Sequence, residues 1–297
     1  MSEQISFDAF LPATMAAKAE DLGVKKAALP AIKMFLLAIL AGAFIGIGAI
    51  FATTVAAGAI SVKDPTGASA FTTGLPYGIV RLLVGLAFTV GLILVVVGGS
   101  ELFTGNNLII MAFASRKISL GGLLRNWLIV YLGNFVGSIA TAYIVFLGKQ
   151  YAFGNGAIGL AALNIGEAKT GFTFIQAVAL GIMCNALVCM AVWMCYSARS
   201  TTDKILAIIP PIACFVAAGF EHSVANMYFI PSALFIKYMG DPAFFTAIGK
   251  TAADFSLLTW GNFFLANLLP VTIGNIIGGA IMVGLVYWFI YLRKTDK

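Results

Sequence analysis

Three ionisable side chains stand inside apolar sequence, where a charge has no reason to be unless it has work to do: Glu101, Glu221 and His222. A charged group at mid-membrane costs at least ~2.5–3.5 kcal/mol, so each is a functional candidate. The two glutamates occur in matching octapeptides, residues 99–106 and 219–226, that share the pattern Gly-x-Glu-x-x-x-(Gly/Ala)-Asn. That symmetry favours a shared structural task, such as accepting backbone N–H groups freed where a helix breaks at Gly99 and Gly219. Direct contact with a substrate is the competing task. His222 is the sole histidine, and its repeat partner is Leu102. It is either a hydrogen-bonded core residue or a group that gains and loses a proton near neutral pH to attract or protonate an anion. Ser223 beside it suggests a hydrolytic pair, but sequence neighbours on one turn do not face each other productively.

The surroundings of these residues are those of a membrane protein. Of 297 residues, 61% are hydrophobic and 10% charged, and the mean hydropathy is +0.99. Soluble domains carry roughly 25% charged residues. The net charge of +6 has no basic run interleaved with aromatics, which argues against a nucleic-acid partner. The four cysteines, Cys184, Cys189, Cys195 and Cys214, lie in apolar stretches at spacings that fit no metal motif, and read as buried reduced thiols. Neither a metal nor a cofactor is expected, and no cleavable leader precedes the first apolar run.

Uncharged runs mark the crossings, each needing about 20 apolar residues. Residues 34–62, 126–148, 170–198 and 263–292 supply spans one, three, four and six. Spans two and five are interrupted: 82–100 and 102–115 flank Glu101, and 205–220 and 223–236 flank Glu221 and His222. Six spans put both termini on one side. Of the 18 Lys and Arg, all but Lys63, Arg81, Lys149, Lys169, Lys237 and Lys250 fall on that side, which predicts cytoplasmic termini. Residues 7–28 pattern as an amphipathic helix at the cytoplasmic interface.

A second match extends the first. Asn126, Gly133, Asn134 and Gly137 repeat as Asn267, Gly274, Asn275 and Gly278 at the same internal spacing. The matches fall in spans two and five and in spans three and six. Three spans per repeat is an odd number, so the copies must be inverted. The predicted fold is all-α, with six transmembrane helices in two inverted three-helix repeats and broken helices two and five. Its parts are a cytoplasmic segment (1–33), a first repeat (34–148), a periplasmic connection (149–169) and a second repeat (170–297). Irregular backbone at membrane depth is tolerated where it lines a cavity, and half-helix N-termini there favour an anion. Thr104, Asn106, Asn107, Asn134, Asn185, Asn226 and Asn275 supply polar side chains within the spans. Asn134 and Asn275, each in Gly-Asn-x-x-Gly, suit close helix packing equally well.

Residues 101–105 and 219–227, together with 185–193, 270–279 and 286–293, resemble the formate/nitrite transporter family over nearly the whole chain. The resemblance is strongest to its formate channels, while 100–105 also looks like the nitrite branch. It implies an aquaporin-like fold, a homopentamer in the bacterial inner membrane with one pore per protomer, and no enzyme activity. It implies a cytoplasmic constriction of Leu92, Leu102 and Phe103 and a periplasmic one of Phe88, Val188 and Phe215. Between them His222, Thr104, Asn185 and Asn275 are expected to contact the anion, with Leu102 to Asn106 gating from the cytoplasm. The Asn-Pro-Ala pair of water channels is absent, which argues against water as cargo. Apolar rings around a polar chamber strip water from what passes and favour formate, nitrite, hydrosulfide or similar small monovalent anions over sulfate or phosphate.

Overall fold

A computed structural model describes residues 8–58, 62–63, 69–71 and 74–293. The start of the expected N-terminal helix, at residue 7, and the bases Lys294 and Lys297 lie outside the described residues. In chain order the elements are α1 (Pro12–Ala27), α2 (Ala31–Ala57), β1 (Val62–Lys63), β2 (Ser69–Phe71) and α3 (Tyr77–Gly98). Then come α4 (Phe103–Ala114), α5 (Leu120–Leu147), α6 (Ala157–Thr170), α7 (Phe174–Ser197), α8 (Thr201–Ala218), α9 (Ser223–Met239) and α10 (Pro242–Ile248). The last is α11 (Trp260–Tyr291). Helices α2, α3, α5, α7, α8 and α11 are long and apolar enough to cross a membrane. Among the described residues the architecture is helical, with one short antiparallel ladder, β1 on β2, in the α2–α3 connection.

Local chemistry sets the ends of the helices that matter. Helix α3 stops where Gly99 takes φ 74°, and α8 stops where Gly219 takes φ 80°. Both are left-handed C-caps, a conformation that glycine adopts without the steric cost a Cβ brings. The chain then runs extended for a few residues and turns helical again at Phe103 and at Ser223. Ser119 caps α5 by accepting from Gly122 N–H. Ser200 and Asp203 form a reciprocal capping box on α8.

Close helix crossings hold these pieces in place. Helix α5 packs on α2, α11 packs on α7, and α3 packs on α8. At Gly137 an added Cβ would collide with the Ile39 carbonyl, and at Gly278 with the Ile182 carbonyl. The two glycines that the sequence pairs therefore carry the same backbone-to-backbone contact. Helix α11 includes two π-helical stretches, Phe263–Leu268 and Ile277–Leu285, a wound form that hydrophobic periodicity does not reveal. The 149–169 connection is more than a loop: it folds into α6 and packs on α9.

Helix α1 docks on the protein body instead of only lying at an interface. Met15, Ala16 and Ala19 are buried, and the Cβ of Ala112 lies against Gly23. Glu20 Oε2 takes the Lys117 ammonium at 2.6 Å. Of the cysteines, Cys184, Cys189 and Cys195 are buried and Cys214 is exposed.

Candidate functional site

Both interruptions are built from the same parts. At the first, Glu101 N–H donates to Leu37 O (3.2 Å). Asn134 accepts from Phe103 N–H (2.9 Å) and donates to Ala38 O (2.8 Å) and Glu101 O (2.9 Å). At the second, Glu221 N–H donates to Leu180 O (3.2 Å). Asn275 accepts from Ser223 N–H (2.9 Å) and donates to Gly181 O and Glu221 O (both 2.9 Å). One asparagine in each half thus meets the backbone groups that leaving helical conformation orphans.

The glutamates do something different from accepting those N–H groups. Glu101 Oε1 accepts from Lys26 Nζ (3.0 Å) and Oε2 from Asn106 Nδ2 (2.7 Å). Glu221 Oε1 accepts from Lys169 Nζ (2.7 Å) and Oε2 from Asn226 Nδ2 (2.7 Å). Asn106 continues to Asn126 (3.0 Å) and Asn226 to Asn267 (2.7 Å). Each carboxylate is a buried charge made tolerable by a lysine and an amide network. Lys26 and Lys169 stand 75 and 52 residues away in sequence, and nothing local marks them as partners. They look like ordinary loop bases until the fold is known.

Thr104 and His222 face each other across the two halves, Oγ1 to Nε2, at 2.9 Å. His222 Nδ1 accepts from Ala225 N–H at 3.0 Å, which makes the imidazole the N-cap of α9. A ring nitrogen that accepts carries no proton, so Nε2 is the protonated one and donates to Thr104 Oγ1. This imidazole is neutral. Charging it requires a proton on Nδ1, where Ala225 N–H now points. Ser223 Oγ has no hydrogen-bond partner among the described residues, and both His222 nitrogens are engaged elsewhere. No base is poised on the serine.

Two cavities, each of about 340 Å³, approach this pair. One is lined by Lys18, Lys26, Leu92, Gly99, Glu101 and Leu102. The other is lined by Arg81, Phe88, Lys169, Phe215, Glu221 and His222. Phe88 lines one cavity and Leu92 the other, and the two residues lie one turn apart on α3, about 6 Å of helical rise. Phe88 and Phe215 meet edge to face with centroids 5.7 Å apart, and Phe215 stacks on His222 at 5.9 Å. Arg81 donates from Nε to Ala217 O (3.1 Å) and from Nη2 to Val216 O. It covers the negative end of α8 at the cavity mouth.

Not every expected pore residue faces these cavities. Phe103 lines neither cavity and packs against Tyr131 and Trp127, with centroids 5.0 and 6.2 Å apart. The reason is aromatic: two rings on α5 offer edge-to-face contacts. Val188 is buried in the core and lines neither cavity. Asn275 spends both amide hydrogens on carbonyls, as above. Asn185 Nδ2 donates to Asn275 O (2.7 Å) and Asn107 Oδ1 (3.0 Å). These two amides tie helices together and leave no donor for a ligand, whereas the Thr104 hydroxyl, accepting from His222, keeps its own O–H.

The comparisons agree with this architecture. The formate/nitrite transporter model matches residues 13–289. The chain is 47% identical to the formate channel FocA of Escherichia coli K12, over 98% of this chain and 97% of that one. It is 39% identical to FocA of Haemophilus influenzae, over 99% and 98%. Among solved structures it resembles a pentameric formate channel with formate bound, with TM-score 0.80 and 49% identity over 89% of this chain and 98% of that one. It also resembles an ion channel of the same family, with TM-score 0.74 and 28% identity over 93% and 98%. The chain belongs to the formate/nitrite transporter family.

Proposed function

We propose that this protein is a channel for formate and related small monovalent anions, working as a homopentamer of one-pore protomers in a bacterial inner membrane. One observation carries the reading: two cavities reach α3 at Leu92 and at Phe88, one turn apart, and Thr104 and His222 meet across the two interruptions. Six apolar helices and the family's channel members support it.

The two interruptions are the broken second and fifth spans of an inverted pair of three-helix repeats, residues 34–148 and 170–297. The matching sets around Glu101 and Glu221 support that symmetry, which is also the architecture meant by an aquaporin-like fold. The excess of basic residues on the side of the termini places them in the cytoplasm. The Lys26 cavity is then the cytoplasmic vestibule and the Lys169 cavity the periplasmic one.

In this arrangement an anion sheds water at Leu92 and Leu102 on one side, or at Phe88 and Phe215 on the other. It regains a hydrogen bond at the Thr104 hydroxyl, which His222 orients. His222 already donates to Thr104 Oγ1, so the threonine O–H is free to point at the cargo. A neutral imidazole donates a hydrogen bond but is too weak an acid to give up its proton. Transfer of a proton to formate therefore requires prior protonation of Nδ1 and release of Ala225 N–H. A divalent ion loses far more hydration at the apolar rings than a monovalent one, which disfavours sulfate.

Purified protein in liposomes tests the assignment. Formate, nitrite, hydrosulfide, sulfate and water fluxes are measured across a pH series. Formate flux above that of empty liposomes, with sulfate at background, supports the reading. Equal flux with and without protein sinks it. Nitrite or hydrosulfide faster than formate assigns the pore to that cargo instead.

A further inference from the structure

The vestibule on the side of the termini carries more positive charge than a pathway for single-charged cargo uses. Lys18, Lys26 and Lys204 all line it, and Glu101 is the one acid among its lining residues. Glu101 is already neutralised by Lys26, at 3.0 Å, and hydrogen-bonded by Asn106. Among the described residues, two ammonium groups remain without a counter-charge. Lys18 donates to Tyr196 O at 3.0 Å, which leaves two of its three N–H groups uncommitted. The Lys204 ammonium has no hydrogen-bond or ion-pair partner among the described residues; only its backbone groups are engaged. Burial first, then Lys204 and Arg199, hold Lys18 below the ordinary 10.5 of a lysine. These cations therefore repel one another across the cavity.

A helix builds this arrangement on purpose. Lys18, Leu22 and Lys26 recur every fourth residue on α1 and form the face turned to the cavity. The other face is buried against the protein body. Helix α8 supplies Lys204 from the opposite wall. The chamber, about 340 Å³, is of the size that holds small ligands. One formate would balance only half of the surplus.

We propose that this vestibule is a binding site for a multivalent oxyanion of the phosphate class, held by Lys18 and Lys204, whose occupancy above Leu92 and Leu102 blocks the pore from that side. The blocking part rests on the channel reading; the binding part does not. The source favoured is a free anion, because the lysines face an internal chamber.

Direct binding tests it on the intact solubilised protein. Pyrophosphate is titrated by calorimetry at constant ionic strength into wild type, Lys204→Gln, Lys18→Gln and Lys25→Gln, the last an exposed lysine of α1. Saturable binding is expected, weakened about tenfold or more by the first two variants and less than about twofold by the third. Lys204→Gln removes no hydrogen bond, so it reads binding even if Lys18→Gln loosens α1. No saturable binding, or equal losses in all three variants, overturns the proposal. So does binding that needs anionic lipid and fails with free pyrophosphate, which assigns the cations to headgroups. In phosphatidylcholine vesicles, pyrophosphate on the vestibule side should slow formate flux in wild type but not in Lys204→Gln. Absence of any formate flux without pyrophosphate counts against the channel reading and leaves the binding result standing on its own.

Discussion

Replacing Asn275 by leucine separates an amide that holds a helix break from one that touches cargo. Leucine keeps the volume and removes every polar partner. Three groups then lose their bonds: Ser223 N–H, Glu221 O and Gly181 O. Gly181 lies inside α7, so its carbonyl keeps a helical donor and loses little. The other two sit at the break, on residues that are buried. An orphaned buried donor or acceptor costs about 1–3 kcal/mol, which puts the total at about 2–6 kcal/mol. That is a large share of the 5–15 kcal/mol by which folded proteins are stable. Unfolding of the solubilised protein in denaturant should show it as a lower midpoint. Asn134→Leu orphans Phe103 N–H, Ala38 O and Glu101 O and should cost a similar amount. Thr104→Val orphans one buried group, the His222 Nε2–H, at about 1–3 kcal/mol, so it should cost less stability than Asn275→Leu while impairing flux more. An Asn275→Leu protein with a wild-type midpoint and abolished formate flux would refute the structural assignment and return Asn275 to the pore.

Other substitutions probe the remaining parts. Lys169→Met strands the Glu221 carboxylate and should destabilise by about 3–5 kcal/mol, with Glu221→Gln added to the same protein recovering most of it; a double-mutant cycle by thermal unfolding reads the coupling. Gly137→Ala or Gly278→Ala forces a Cβ into the facing carbonyl and should abolish assembly, seen as loss of the native species on size exclusion. Arg81→Met exposes the α8 carbonyls of Val216 and Ala217 to the cavity lined by Lys169 and His222. Formate entry from that side should slow and lose its ionic-strength dependence, while Arg81→Lys retains part of both. For α1, the hydrogen bond to Glu20 raises Lys117 above its ordinary 10.5. A raised folded value adds stability that is complete below the unfolded pKa and is lost as pH rises through the folded one. The protection of α1 amides, taken relative to their intrinsic base-catalysed exchange, should therefore hold through neutral pH and fall only in strong alkali, whereas Lys117→Gln lowers it at neutral pH.

Long uncharged runs made all six crossings legible, because a bilayer demands length and apolarity in one stretch. The octapeptides around Glu101 and Glu221 located the interruptions, because Gly99 and Gly219 leave a mark that no helix interior needs. Partners brought in from afar were not legible. Lys26 and Lys169 read as loop bases, and Asn134 and Asn275 offered packing or cargo contact with nothing local to decide. Their hydrogen bonds reach across α2 and α7, and only the fold supplies that geometry. The turning of Phe103 towards Tyr131 was hidden for the same reason. The role of the His222 ring as cap of α9 depends on a backbone N–H three residues on, which sequence does not orient.

The central claim is that cargo crosses between Thr104 and His222. Placing a bulky ring at that contact with Thr104→Trp and measuring formate flux in liposomes tests it most directly, with size exclusion confirming that the oligomer is intact. Flux at the level of empty liposomes is the predicted result. Undiminished formate flux through an intact Thr104→Trp oligomer would contradict the account.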